Sequence, residues 1–191
     1  MREDSANTCR HSIRLQSYDY AQEGMYFFTV CTHNRQPLFG NVMNAEMKLN
    51  EFGRVVWDEW RKSVNIRREI ELDAFIVMPN HAHGIAVLKN SDLVGATGRS
   101  PFPAGPSKHS LGAFIAGFKS AVTTRINALR NMPAAPVWQR NYYEHVIRNE
   151  ESLKCIREYV INNPAQWHLD PENPEAKGDR PVAPTKDPVN I

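Results

Sequence analysis

Two histidines separated by one residue, His81 and His83, follow Pro79-Asn80 and open an apolar run that ends at Leu88. In a strand successive side chains alternate between faces, so the two imidazoles point the same way while Ala82 points to the other face. A pair held by rigid backbone can bind a divalent cation. The same alternation also suits a half-exposed strand that binds nothing, so the pair acquires meaning only if the chain adds further ligands and a reacting group. Glu158-Tyr159-Val160-Ile161-Asn162-Asn163 offers both. Tyr159 and Asn163 are four apart, share one face of a helix, and can bring a phenol and an amide oxygen to one centre. Leu153, Ile156 and Val160 form the buried stripe of that helix, and Tyr159 lies at its edge; a ring packed there with its hydroxyl in water is the simpler alternative.

The elements that must position these groups are legible along the chain. Met25 to Thr32 is rich in aromatic and β-branched residues and reads as the first strand. Leu49, Phe52, Val56 and Trp60 recur at helical steps and predict an amphipathic helix over about 45 to 64. Glu71 to Met78 and His81 to Leu88 form a hairpin around Pro79-Asn80. Residues 89 to 109, rich in Gly, Pro and Ser, form a connection. Ser110 caps a second helix with Leu111, Ile115, Phe118, Val122, Ile126 and Leu129 on one stripe, ended by Pro133 and Pro136. A fourth strand follows near 141 to 147. Asn149 caps a third helix reaching about Asn162, stopped by Pro164. The order β-α-β-β-α-β predicts an α+β, ferredoxin-like antiparallel sheet with helices on one face and an added C-terminal helix that carries the tyrosine. In that plan His81 and His83 stand in a central strand and Ala82 faces the helical layer.

A chain of 191 residues suffices for one domain with tails. The reading is a flexible basic and aromatic arm over 1–23, a domain over 24–165 and a Pro-rich disordered tail over 166–191. With no run of eighteen apolar residues, and with no signal-like apolar core after Met1, the expectation is a cytoplasmic protein without a membrane partner. Cys9, Cys31 and Cys155 are odd in number and lack metal spacing, which points to reduced thiols. The net charge is only +2, but residues 93 to 149 hold seven basic side chains against the single acid Glu144. Such a segment attracts a polyanion, or is simply a solvated face.

Five pieces in order then carry a resemblance over roughly residues 12 to 165: the strand Tyr26-Phe27-Phe28-Thr29-Val30-Cys31-Thr32, the His pair, Phe118-Lys119-Ser120, Trp138-Gln139-Arg140-Asn141-Tyr142-Tyr143-Glu144-His145, and Tyr159-Val160-Ile161-Asn162-Asn163-Pro164. Together they resemble the HUH endonuclease superfamily, within it the single-tyrosine transposases, and among those the REP-associated tyrosine transposase (RAYT) group. One departure is Ala82, where the family usually has a bulkier residue.

The resemblance implies a DNA transposase: a single-strand endonuclease with strand-transfer activity that cleaves and rejoins hairpin or repeat-type sites, such as REP elements, by transesterification through a 5′-phosphotyrosine. It implies Tyr159 as nucleophile, and His81, His83 and Asn163 as ligands of Mg²⁺ or Mn²⁺. ATP is not needed, because bond energy is kept in the phosphotyrosine. Single-stranded or hairpin DNA is the expected partner, the bacterial nucleoid the expected place, and family members work as homodimers or as single subunits. Arg10, Arg14, Lys119, Arg125, Trp138, Arg140, Tyr142, Tyr143 and Arg148 are the candidate DNA contacts, combining cations with stacking planes. Tyr142 and Tyr143 are also rival nucleophiles, but they point to opposite faces of a strand, so at most one looks toward the His pair. The alternatives are a replication initiator or relaxase with the same residues, a DNA-hairpin-binding protein without catalysis, and a small-molecule phosphoesterase that gives Tyr159 no role.

Overall fold

Alternation of apolar side chains builds a four-stranded sheet buried on both faces. The structure, a computed structural model, describes residues 22–89 and 109–175. Strands β1 (Gly24–Cys31), β4 (Ile70–Val77), β5 (His81–Leu88) and β6 (Tyr143–Ile147) lie in the order β4-β5-β1-β6, and every neighbouring pair is antiparallel. The first and third strands of the β-α-β-β-α-β repeat are thus central neighbours, as the ferredoxin-like plan requires.

Helices α1 (Glu51–Ile66) and α2 (Leu111–Leu129) cover one face of this sheet. Tyr26, Phe28, Val30, Ala82, Ala86 and Leu88 meet Val56, Trp60, Phe114, Ile115, Phe118 and Val122 there. Helix α3 (Glu150–Asn162) lies across the opposite face, where Leu153, Ile156 and Val160 pack on Phe27, Ile85 and Ile147. Ala82 does face the α1/α2 layer, and the two histidines face α3.

The small residue at position 82 has a physical reason. Ala82, Gly84 and Ala86 present a flat strip to the helices, and large rings fill the room: Trp60 stacks on Phe75 with centroids 4.3 Å apart, and Phe28 lies 5.8 Å from Trp60. A Cβ on Gly84 would stand 2.6 Å from Phe28 Cζ and 2.9 Å from Phe75 Cδ2. This strip lets aromatic bulk come from neighbouring elements while β5 stays close to the helices.

Three expectations change. The helix over 45 to 64 begins only at Glu51, where the Asn50 side chain accepts from Gly53 N at 2.9 Å. The residues before it form a hairpin, β2 (Gly40–Met43) with β3 (Glu46–Leu49). Its two turn residues, Asn44 and Ala45, have φ of 53° and 61°, as a type I′ turn demands, but Asn-Ala is a weak signal beside Asn-Gly. The fourth strand starts at Tyr143 rather than at 141. The disordered tail does not begin at 166: Pro164 converts the end of α3 into a 3₁₀ segment, Asn163–Leu169, and the chain stays described through 175. Its order comes from distant partners of Asp170 and Glu172, described below. Among the described residues no helix is long and apolar enough to cross a membrane.

A Gly84→Ala substitution should destabilise the protein by about 1–3 kcal/mol through overpacking against Phe28 and Phe75. Urea unfolding measures this, and an unchanged midpoint would refute the tight-strip account.

Candidate metal and tyrosine site

Register brings the site together. Cys31 lies directly opposite His81, and Thr29 opposite His83. Residues opposite each other in an antiparallel pair share a face, so these four side chains cluster under α3. The row continues to Tyr143, the partner of Thr29 on β6. His81 is fully buried and His83 is 2% exposed.

The two Nε2 atoms are 3.0 Å apart, and each ring is held from behind. His81 Nδ1 lies 2.9 Å from Asn80 Oδ1. The Asn80 amide nitrogen donates to the carbonyls of Arg35 at 3.2 Å and Glu172 at 2.6 Å, which leaves its oxygen to face His81. His81 Nδ1 therefore donates the proton, and its Nε2 carries a bare lone pair. His83 Nδ1 lies 2.8 Å from Thr29 Oγ1, a group able to donate or accept. With the Thr29 hydroxyl accepting, both Nε2 lone pairs converge on one point.

Helix α3 and the segment after it supply the rest. The Tyr159 hydroxyl lies 3.4 Å from His83 Nε2, and its ring meets the Phe27 ring edge-on at 6.0 Å. Arg157, two residues earlier, forms a two-pronged bond with Asp73 of β4, Nε to Oδ1 at 2.9 Å and Nη2 to Oδ2 at 2.6 Å, which fixes α3 over the sheet. Past the helix, Asp170 turns inward with Oδ2 3.9 Å from the Nε2 of both histidines. Asn163 Nδ2 donates to that oxygen at 2.7 Å, and Glu172 N donates to Asp170 Oδ1 at 2.7 Å. Trp167 lies over His81 at a ring distance of 5.9 Å.

Charge at the site is set by burial. Burial, then the neighbouring His83, hold His81 well below the usual imidazole range, against the pull of Asp170. Burial also works to raise Asp170, but the His83 and His81 rings and the Asn163 amide outweigh it and bring the carboxyl down to about 2. The Tyr159 phenol is pushed up, first by burial and then by the negative charges of Asp170 and Glu172.

These residues fit a divalent cation. Neighbouring donors at about 2.1 Å from an octahedral ion stand roughly 3 Å apart, and opposite donors roughly 4.2 Å. The paired Nε2 atoms match the first separation, and Asp170 Oδ2 falls between the two. His81, His83 and Asp170 form the metal-competent cluster among the described residues. Asn163 Oδ1 is buried without a hydrogen-bond partner, an acceptor that a cation or a substrate proton would satisfy.

Other predicted residues fall elsewhere. Arg125 on α2 bonds Glu59 Oε1 at 2.6 Å and joins α1 to α2, away from the histidines. The Lys119 ammonium donates to the carbonyls of Gln139, Arg140 and Asn141 at 2.5, 3.3 and 3.4 Å, and its partial burial lowers its pKa. Its charge clamps the approach to β6. Trp138 is a core residue between Phe39 and Phe118, without an exposed face for a base. Tyr142 packs on the α1/α2 side, whereas Tyr143 lies on the histidine side, edge-on to Phe27. Arg140 and Arg148 are exposed near the two ends of β6. Arg10 and Arg14 lie outside the described residues. Sequence reasoning missed Asp170, Asn80 and Thr29. Register from a strand pairing would have found Thr29, and Asn80 adjoins the motif.

Because His81 stays neutral at a pH where the unfolded chain's imidazole takes up a second proton, the unfolded state binds more protons below pH ~6.5, and stability falls as pH drops from there toward the depressed native value. Thermal unfolding between pH 7 and 5 should show this slope, and His81→Gln should flatten it; an equal slope in the variant refutes the assignment. Removing the support behind His81 with Asn80→Ala should weaken Mn²⁺ binding by about 10- to 100-fold, measured by calorimetry. Unchanged affinity would show that Asn80 does not set the ring.

No protein-family model matches the chain. An uncharacterised protein of Haemophilus influenzae is 39% identical over 166 residues, spanning 84% of this chain and 91% of its own length. Among solved structures, a REP-associated tyrosine transposase bound to a REP hairpin matches with a TM-score of 0.56, over 94% of this chain and all (100%) of that one, at 18% identity. A protein from Deinococcus radiodurans reaches 0.44 over 78% of this chain and 95% of its own at 19% identity, too low to carry weight. The chain therefore belongs to one family with the Haemophilus protein, and its fold is that of the REP-associated tyrosine transposase.

Proposed function

We propose that this protein is a metal-dependent transposase that cleaves and rejoins single-stranded DNA at hairpin or repeat-type sites through a 5′-phosphotyrosine on Tyr159. The observation that supports it best is the convergence, on this fold, of one phenol hydroxyl with the two facing imidazole nitrogens and a buried carboxylate. A hairpin as partner follows the solved relative, which was bound to one.

In this reading the Tyr159 oxygen attacks phosphorus, the O–P bond forms, and the bond to the 3′ oxygen breaks. Tyr159 loses its proton and the departing 3′ oxygen gains one. The 3′-hydroxyl later reverses the exchange on the same or another strand. The difficulty is electrostatic: burial, Asp170 and Glu172 disfavour a phenolate and would repel a phosphate. His81, His83 and Asp170 would hold Mg²⁺ or Mn²⁺, with Asn163 Oδ1 as a further donor if its amide turns. Such an ion neutralises charge on the phosphate and polarises it for attack. Phe27 and the Arg157–Asp73 bond keep the phenol in place, and the apolar wall of Phe27, Ile85 and Val160 keeps water from the covalent intermediate. In this reading no ATP is required, and the protein would meet its substrate in the cytoplasm, at the nucleoid.

The test incubates the full chain with end-labelled single-stranded hairpin DNA from its own flanking sequence, with Mn²⁺ or Mg²⁺ and with a chelator. A covalent, protease-sensitive protein-DNA band should form only with metal. Tyr159→Phe should lower it by about 10⁴-fold or more while hairpin binding persists. An adduct that survives Tyr159→Phe rejects the nucleophile, and binding without an adduct under any metal makes the protein a hairpin binder.

A further inference from the structure

The loop that leaves β1 is held at the His81–His83 site more firmly than its exposed position requires. His33–Arg35 is a single 3₁₀ turn, and within it Asn34 (φ 54°, ψ 23°) and Arg35 (φ 53°) both take the left-handed conformation. Two consecutive non-glycine residues in that region are strained unless their surroundings fix them. Here the surroundings do. Arg35 N donates to Thr32 O at 3.0 Å, Thr32 Oγ1 donates to Gln36 O at 2.8 Å, and His33 N donates to Val137 O at 2.8 Å. The buried Asn80 amide grips the Arg35 carbonyl at 3.2 Å. This is the side chain that also sets the tautomer of His81, so the backbone of Arg35 and the cation-facing nitrogen of His81 depend on one group.

The outcome is a guanidinium at the mouth of the site. The Arg35 side chain is 46% exposed, and its charge is felt at His81. Its Nε lies 3.0 Å from Glu172 Oε2, and the same oxygen accepts the Cys31 thiol at 3.3 Å. An anionic oxygen is therefore already seated between Arg35 and the sheet, beside the cluster where the scissile phosphate must come. A guanidinium takes phosphate oxygens in the geometry it uses for a carboxylate.

We propose that Arg35 is a phosphate-binding residue of this site, its guanidinium taking a non-bridging oxygen of the phosphodiester presented to Tyr159 in the place the Glu172 carboxylate holds here. The proposal rests on the phosphodiester-cleaving reading, and it gives Glu172 a defined part: its carboxylate competes with the phosphate for Arg35. The rival account is that the pair only anchors the segment that carries Asp170.

Opposite signs in two variants separate these accounts. The experiment uses the full chain with Mn²⁺ and two readouts: equilibrium binding of inorganic phosphate as probe, and the single-turnover rate of adduct formation with the hairpin. Arg35→Ala should weaken both by about tenfold or more, and Arg35→Lys should restore part of the loss. Arg35→Gly removes the guanidinium while relieving the backbone strain, so a matching loss excludes misfolding as the cause. Glu172→Gln should move the other way and strengthen phosphate binding. Arg35→Ala and Glu172→Gln acting in the same direction, Arg35 variants with wild-type phosphate affinity, or wild-type protein that binds no phosphate would each overturn the proposal. The phosphate titration needs no cleavage: Arg35-dependent binding without any wild-type adduct defeats the transposase reading alone, and a wild-type adduct with unaltered Arg35 variants defeats this one alone.

Discussion

Two imidazole nitrogens 3.0 Å apart in a place closed to water cannot both present bare lone pairs to each other without something positive between them. A proton can serve, with His83 donating to His81, or a cation can. Asn80 removes the other choice by taking the proton of His81 on the far side of its ring. Thr29 leaves His83 free to change, because its hydroxyl serves either tautomer of Nδ1. The metal-free pair and the metal-bound pair thus differ by one proton and one hydroxyl rotation. The rest of the structure holds that geometry: central strand position, burial, and small residues on the reverse side of β5 that let the aromatic layer press close.

Around this pair the chain has placed negative charge that disfavours a phenolate at Tyr159. Asp170 stays ionised although buried, Glu172 stands beside it, and both work with burial to keep the Tyr159 phenol protonated. Low dielectric makes each of these interactions larger than in water. A divalent ion at the histidines would therefore have an outsized effect, since its charge would offset those of Asp170 and Glu172 at the phenol. A buried pocket where two imidazoles and a carboxylate converge is a setting that could hold a divalent ion.

Much of this was legible from local pattern. The H-x-H alternation put both histidines on one face, Asn149 and Pro164 bracketed α3 closely, and Tyr159 with Asn163 fell on the inward side of that helix. What escaped notice depends on distant partners. Asp170 sits among prolines 171 and 174 in a stretch whose composition reads as disordered. Its order comes from Asn163, and from the Glu172 carbonyl that Asn80 grips across ninety-two positions. No window of sequence contains both ends. For Lys119, Arg125 and Trp138, expected among the DNA contacts from residue type, the structure shows intramolecular partners that sequence does not reveal: the Lys119 ammonium on backbone carbonyls, Arg125 on Glu59, and the Trp138 indole in the core.

The two halves of the site are also held unequally. The histidines belong to a central strand paired on both sides and backed by the large aromatic core, whereas Tyr159 rides on a helix whose buried contacts form a cluster of six residues. Such a helix is the element that would loosen first. Its main polar tie is the fork between Arg157 and Asp73, and Asp73 stands where β4 breaks register with β5, between Leu72 and Phe75. Alternation from Ile70 and Leu72, which face the α1/α2 core, points Asp73 toward α3, and past the irregularity Ala74 and Ile76 face α3 as well. The metal-competent cluster joins the two halves: His81 and His83 stand on the rigid strand, while Asp170 reaches them from the segment after α3 and is tied to that helix through Asn163.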